Sequence, residues 1–148
     1  DDCQEFLKKC KVAGLKVRLP HEDEWEYAYR GGKGNKKAFY WGDELNGDKA
    51  NCNGTVPYGT AIEGDYLKKT TEVGSYESKA KHPWGLCDMN GNVWEWCDNL
   101  YTGGEKYRVL RGGSWINESC DCRAAFRCHY SPDVRDFGIG FRVCLALD

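Results

Sequence analysis

The sequence predicts an α+β domain with few helices, short strands and one long loop region. Three observations lead to this class: two helical patterns lie within residues 2–30, the strand candidates are short, and periodicity is lost over residues 34–66. At 148 residues the chain has the size of one ordinary domain and is long enough to bury a core. No linker divides it, so residues 1–148 are predicted to form a single domain.

The first helix is predicted over residues 2–10 and the second over residues 22–30. In the first, apolar side chains recur at the i, i+3, i+4, i+7 spacing of one helix face, at Cys3, Phe6, Leu7 and Cys10. Asp1 or Asp2 is the predicted N-cap and Gly14 the predicted end. The second helix begins with acidic residues, which the helix dipole favours, and ends before Gly31-Gly32.

Strands are predicted at residues 15–19, 107–110 and 140–145, with Gly112-Gly113 as a turn or bulge. Residues 34–66 form an unusually long loop for a compact domain. Loops of this length are generally functional, or are ordered by something other than a core.

Composition excludes several classes of function. A net charge of −2 argues against nucleic-acid or anionic-lipid partners, since both require a basic excess. No apolar run approaches the roughly 20 residues of a membrane span. The nine cysteines form no CxxC pair, so structural zinc is not expected. They are predicted to be buried small side chains, and one or two disulfides are an open alternative. Because their number is odd, at least one thiol has no disulfide partner within the chain.

Four stretches of sequence are more specific than composition. They are RLPHEDEWEYA at 18–28, YWGD at 40–43, GLCDMNGNVWEW at 85–96, and RVLRGGSW at 108–115, which leads on to GFRVC at 140–144. Together they closely resemble the formylglycine-generating-enzyme (sulfatase-modifying-factor) family. The resemblance implies a variant of the C-type lectin fold, with two helices, a small twisted sheet and long ordered loops. Because family domains normally carry a strand-bearing segment before the first helix, we expect an N-terminally shortened version or the tail of a longer protein.

The resemblance also addresses catalysis. Enzymes of the family bind copper through two cysteines five residues apart, because soft thiolates suit Cu(I). Counting from Pro132-Asp133, the resemblance places these positions at Ser119 and Ala124, and neither carries a thiol. We therefore expect that the chain binds no copper and has no enzymatic activity. A copper-dependent formylglycine-generating oxidase-like enzyme and a structural accessory domain remain the alternatives.

Other catalytic chemistry has little support in the sequence. The three histidines, His21, His82 and His129, are scattered along the chain. They are expected to be solvent-exposed loop residues. Ser114 lies in no nucleophile-elbow motif.

Residues 116–138 resemble the variable region of diversity-generating-retroelement proteins, many of which use this same fold. Framework residues such as Arg123, Arg127 and Pro132-Asp133 alternate there with residues of mixed chemistry. Copying of template adenines as any base never yields Lys, Glu, Gln, Met or Trp from an Asn codon, and Glu118 therefore has to be a fixed position. The candidate binding residues obey that restriction: Ile116, Asn117, Ser119, Cys120, Asp121, Phe126, Cys128, His129, Tyr130, Ser131, Val134, Asp136, Phe137 and Gly138.

This resemblance implies a non-catalytic protein that binds a protein or other surface ligand through residues 116–138. It also implies display on a virion or cell surface; the sequence does not fix the oligomeric state. The alternative is an ordinary loop-rich end of the fold, whose aromatic residues pack inward. Cys120 and Cys128 are either exposed thiols or a disulfide.

Family resemblance further implies structural calcium that orders the long loops. One predicted ligand set is Asp88, Gly91, Val93 and Glu95, and the second is Asn51, Cys52, Asp65 and Leu67. Calcium binds several hard oxygens, from carboxylates, amides and backbone carbonyls. In the metal-free alternative, Asp88 and Glu95 cap turns and pair with arginines such as Arg111 or Arg142.

Overall fold

The computed structural model describes residues 2–12, 16–103 and 106–145. Their elements, in chain order, are α1 (Asp2–Val12), β1 (Val17–Arg18), α2 (Glu22–Tyr29), β2 (Trp94–Leu100), β3 (Arg108–Arg111), a 3-10 helix (Ser119–Cys122), β4 (Cys128–Tyr130), β5 (Ile139–Phe141) and β6 (Cys144–Leu145). Two helices, short strands and long loops confirm the predicted α+β class.

Both helices are confirmed within two residues of their predicted ends. In α2 a capping box fixes the start: the His21 ring accepts from the Asp23 N–H, and the Glu24 carboxylate accepts from the His21 N–H at 2.8 Å. The chain turns away at Gly31, whose φ of 66° is left-handed. The predicted cap Asp1 and the predicted stop Gly14 lie outside the described residues.

The main sheet has the strand order β4-β3-β2-β5. Strand β3 pairs antiparallel with both β2 and β4, whereas β5 pairs parallel with β2. Strands β1 and β6 form a separate antiparallel pair. Because β4 and β5 lie on opposite edges of the main sheet, residues 116–138 run along one edge and then cross to the other.

The core consists of three clusters rich in aromatic side chains. One joins Trp25 and Tyr29 of α2 to Val109 of β3, and another packs Trp94 and Trp96 of β2 on Leu110. The third lies within residues 34–66, where Phe39 and Leu45 are buried with Cys52. The long loop therefore carries a small core of its own, which contributes to its order.

Three features of the fold differ from the sequence predictions. The predicted strand 140–145 is two strands in different sheets. Strand pairing is interrupted at Arg142, whose guanidinium donates to the Glu95 carboxylate at 2.7 Å. Strand β2 was not predicted as a strand. His82 is buried rather than exposed, with Nε2 3.0 Å from the Tyr29 carbonyl and Nδ1 accepting from the Trp84 N–H.

Within the part of the chain that the structure describes, no helix combines the length and apolar character needed to cross a membrane.

Candidate ligand-binding surface

A buried arginine holds the backbone of the candidate segment in place. Arg111, at the end of β3, is only 1% exposed. Its guanidinium donates to the Phe126 carbonyl at 3.0 Å and the Ala124 carbonyl at 2.8 Å, and it pairs with Glu26 of α2. Two carbonyls of the segment and one carboxylate of α2 are thereby fixed around one side chain.

A second arginine tethers the segment just before β4. Arg127 donates to both oxygens of Glu22 at 2.6 Å, and its guanidinium lies 4.7 Å from the centre of the Tyr101 ring. Burial opposes ionisation of Glu22, but the hydrogen bond and the charge of Arg127, together with smaller effects of Asn99 and Arg111, lower the pKa of that carboxyl. This two-point contact is the strong arginine–carboxylate geometry.

Asn117 is held from three directions. Its side-chain oxygen accepts from Trp94 Nε1 at 2.9 Å and from the Ser114 hydroxyl at 2.6 Å, while its amide donates to Asp121 at 3.0 Å. Asn117 therefore fixes the start of the segment and joins it to β2.

Six of the predicted binding residues line one depression of about 210 Å³. They are Ile116, Asn117, Tyr130, Val134, Asp136 and Phe137. Trp94, Ser114 and Ile139 complete its wall. We call this feature the Phe137 depression; it brings together residues from both ends of the segment.

A row of aromatic rings extends the depression. The Trp115 ring centre lies 5.6 Å from that of Phe137 and 6.3 Å from that of Tyr66. Sequence reasoning missed both Trp115 and Tyr66. Trp115 ends the RVLRGGSW stretch that carries the family resemblance, although its position next to Ile116 was a usable signal. Tyr66 gave none, because it comes from the distant long loop.

Not all predicted residues face this depression. Successive side chains of a strand point to opposite faces, so His129 and Tyr130 of β4 lie on different sides of the sheet. The His129 ring stacks on Tyr101 at 4.1 Å and meets Tyr107 at 5.1 Å. His129 therefore belongs to a second aromatic surface. The hydroxyl of Ser131 donates to the Asp133 carboxylate.

Several candidates point inward. Ser119 is fully buried with its hydroxyl 3.5 Å from the Cys52 sulfur, and Gly138 is also buried. Phe126 and Cys128 are half-buried and pack against the cluster around Trp94. For these residues the structure matches the inward-packing alternative.

The cysteines Cys120 and Cys128 are not linked to each other. All nine cysteines of the chain lie within the described residues, and all nine are free thiols. Cys120 is half-buried and donates to the Asp121 carboxylate at 3.5 Å. The two positions that the resemblance assigns to copper ligands, Ser119 and Ala124, are completely buried.

The first predicted calcium set fits the ion poorly. The Glu95 carboxylate is 5% exposed; Oε2 accepts from Trp25 Nε1 at 2.7 Å and from Arg142 at 2.9 Å, and Oε1 accepts from Arg142 at 2.7 Å. Asp88 accepts from the Gly74 N–H at 2.7 Å. A cation would have to displace these donors, so the contacts match the ion-pair alternative at Glu95.

The second predicted set offers an oxygen that lacks a partner. Asn51 is 2% exposed, and its amide nitrogen donates to the Lys69 carbonyl at 2.9 Å. Its side-chain oxygen is buried without a hydrogen bond among the described residues, a costly state that a cation would relieve. Asp65, of the same predicted set, is exposed. No cluster of three or more His, Cys, Asp or Glu side chains suited to a metal occurs in the described part of the chain, so this set relies on amide and backbone oxygens.

Two helices, small mixed sheets and a long segment tethered across the main sheet define a C-type-lectin-like domain. The chain matches the family model described as sulfatase-modifying factor enzyme 1-like domain over residues 2–147. It therefore belongs to the formylglycine-generating-enzyme (sulfatase-modifying-factor) family, as its motifs predicted.

Both active and inactive relatives are similar to it. The chain is 37% identical to the formylglycine-generating enzyme of Streptomyces coelicolor, over 84% of this chain and 45% of that protein. It is 36% identical to inactive C-alpha-formylglycine-generating enzyme 2 of Mus musculus, over 84% of this chain and 42% of that protein. Membership of the family therefore does not decide whether this chain catalyses.

A solved structure with the same fold is Treponema denticola variable protein 1. It superposes with a TM-score of 0.67 at 30% identity, covering 86% of this chain and 46% of that chain. The chain thus spans less than half the length of each of these three proteins. The predicted fold and the relationship to a variable protein are confirmed.

Proposed function

We propose that this chain is a non-catalytic binding domain, the variable protein of a diversity-generating retroelement, that recognises a protein or other surface ligand through residues 116–138. One observation carries the proposal. The Phe137 depression gathers side chains from both ends of this segment, while Arg111 and Arg127 hold the backbone between them. Such a scaffold tolerates changing side chains because framework groups fix the main chain.

The chemistry of the depression fits a macromolecular ligand. Phe137 is 69% exposed, Ile116 49% and Tyr130 44%. Neighbouring exposed apolar side chains are typical of interaction sites, and aromatic residues are enriched in them. Asp136 adds a carboxylate on the same wall, which favours a ligand that presents a cationic or hydrogen-bond-donating group beside an apolar one.

Surface display on a virion or cell belongs to the same proposal. It rests on the similarity to Treponema denticola variable protein 1 and on the implied class of protein. A binding domain that is diversified to meet changing ligands acts where those ligands are encountered.

Sequencing this gene from several isolates tests the diversified surface. We expect amino-acid differences to concentrate within residues 116–138, above all at exposed positions such as Ile116 and Phe137, with Arg111 and Arg127 constant. Differences spread evenly along the chain would remove the retroelement interpretation and favour a structural accessory domain.

Binding itself is tested by panning a phage-displayed random peptide library on the immobilised domain. Peptides enriched on the natural chain should lose at least tenfold in affinity, about 1.4 kcal/mol, for the Phe137→Ala variant. Val73→Ala, at a position 78% exposed outside the depression, is the matched control. Equal affinity for all three proteins would place the site elsewhere.

The second candidate is a copper-dependent formylglycine-generating oxidase-like enzyme. It is favoured by the 37% identity to the Streptomyces coelicolor enzyme. It is disfavoured because Ser119 and Ala124 carry no thiol. Titrating copper and assaying oxidation of a cysteine-containing peptide separates the two candidates, since turnover would overthrow the non-catalytic proposal.

A further inference from the structure

Two thiols meet in the interior of the domain. Cys52 lies in the long loop and Cys122 ends the 3-10 helix, and they are 1% and 0% exposed. Both belong to the small core around Phe39 and Leu45, and the Cys122 thiol donates to the Glu118 carbonyl at 3.9 Å. The Cys52 sulfur also lies 3.5 Å from the Ser119 hydroxyl.

Backbone contacts hold the two thiols together. The Asn53 N–H donates to the Asn117 carbonyl at 2.8 Å, and the Ser119 N–H donates to the Val56 carbonyl at 3.3 Å. On the far side, Gly113 leaves room for Cys122, since a Cβ at Gly113 would lie 2.5 Å from the Cys122 sulfur. The loop and the 3-10 helix are therefore aligned with one cysteine on each.

We propose that Cys52 and Cys122 are a reversible dithiol–disulfide pair that covalently links the long loop to the 3-10 helix of the candidate binding segment. The oxidant is a small-molecule disulfide. One of the two cysteines loses its proton, and its thiolate attacks one sulfur of the oxidant and expels one thiolate. The other cysteine then loses its proton and attacks the first in the mixed disulfide, expelling the second thiolate. Two protein thiols are oxidised to one disulfide, and one external disulfide is reduced to two thiols.

Two physical consequences follow from the position of the pair. Neither sulfur is exposed, so oxidation requires the contact between Asn53 and Asn117 to open and is slow in the native state. Because the cysteines are about 70 residues apart, the link closes a long loop of the unfolded chain and stabilises the fold. The oxidised protein is therefore more resistant to unfolding than the reduced one.

Peptide mapping tests the proposal. The reduced full chain is incubated with oxidised glutathione, quenched with N-ethylmaleimide and digested without reductant. Mass spectrometry should find a linked Cys52–Cys122 peptide, with loss of both alkylated peptides. The midpoint of urea unfolding should rise and should return to its starting value after dithiothreitol.

Variants give the matched controls. Cys52→Ala and Cys122→Ala, each first checked for folding by circular dichroism, should abolish the rise in midpoint. Cys97→Ala, at a buried cysteine in a different cluster, should keep both the link and the rise. Mapping of the natural chain needs no variant. Glutathione retained on Cys52 or Cys122 without a linked peptide would overturn the proposal. So would a result in which both thiols are alkylated only after unfolding and no linked peptide forms in mild urea.

Discussion

At the scale of single residues, Arg111 connects the core to the candidate surface. A buried charge is tolerated only when it is paired and hydrogen-bonded, and Arg111 meets this condition with Glu26 and two carbonyls of the 116–138 segment. Replacing it by methionine keeps most of the volume but leaves those groups without their donor. We expect Arg111→Met to lower the free energy of unfolding by about 3 kcal/mol, measured by urea denaturation.

The matched control for this substitution is Arg135→Met. Arg135 pairs with Asp2 at 2.7 Å, but the side chains are 78% and 62% exposed. Exposed ion pairs contribute little, so we expect a loss of about 0.5 kcal/mol or less. Similar losses for the two variants would mean that Arg111 does not organise the segment.

Glu24 makes stability depend on acid. Hydrogen bonding from Arg18, at 2.7 and 2.8 Å, and from the His21 N–H lowers its pKa from 4.5 to about 2. Because the folded pKa is depressed, this contribution is complete above pH 4.5 and is lost as the pH falls through about 2. The carboxylate is half exposed, so solvent screening keeps the contribution to about 0.5 kcal/mol.

Glu24→Gln should therefore lose stability near neutral pH and flatten the acid limb of the stability curve. Urea midpoints measured between neutral pH and about pH 2 test this. Glu5→Gln changes the same charge on an exposed helix face beside Lys9 and should leave the acid limb unchanged. If Glu24→Gln keeps a steep acid limb, the loss of stability in acid comes from other carboxyls.

At the scale of elements, the turn after β3 depends on glycine. Gly113 has a φ of +76°, and a Cβ there would meet the Cys122 sulfur at 2.5 Å. Gly85 has a similar φ of +71°, but a Cβ there has open space within 4 Å. We expect Gly85→Ala to cost about 1 kcal/mol from backbone strain alone and Gly113→Ala about 2 kcal/mol more from overpacking. Equal costs in thermal or urea unfolding would contradict the clash.

The elements also show which parts of the fold the sequence encodes locally. Helix α2 was predicted because its acidic first turn and terminal glycines are local signals. Strand β2 was missed because its first four residues, Trp94–Cys97, are all buried, so the alternation typical of a half-buried strand is absent. The prediction of one strand over residues 140–145 was wrong at Arg142, because the contact of Arg142 with Glu95 depends on tertiary structure.

At the scale of the whole molecule, the sequence predicted the segment but not its arrangement. The resemblance identified residues 116–138, yet only the sheet order shows that Tyr130 and Phe137 share a wall while His129 faces the other side. Tyr66 reaches Trp115 across the fold, and Cys52 reaches Cys122 in the same way. Contacts of this kind depend on chain topology, which local periodicity does not record.

Calcium in the long loop is the last prediction at this scale. The second ligand set, with the unpartnered oxygen of Asn51 and the exposed carboxylate of Asp65, fits the ion better than the set around Glu95. A ligand that binds only the folded chain stabilises it by about 2.7 kcal/mol at a concentration 100-fold above its Kd. For a domain of this size that corresponds to a rise in Tm of roughly 5–10 °C, measured in calcium against a chelator.

Asp65→Asn should remove this rise, because it replaces a carboxylate ligand with a weaker amide oxygen. Glu63→Gln removes the same charge from an exposed position two residues away and should keep the rise. If both variants respond like the natural chain, the ion binds elsewhere. If the natural chain shows no rise, the small core around Phe39 and Leu45 orders the long loop without metal.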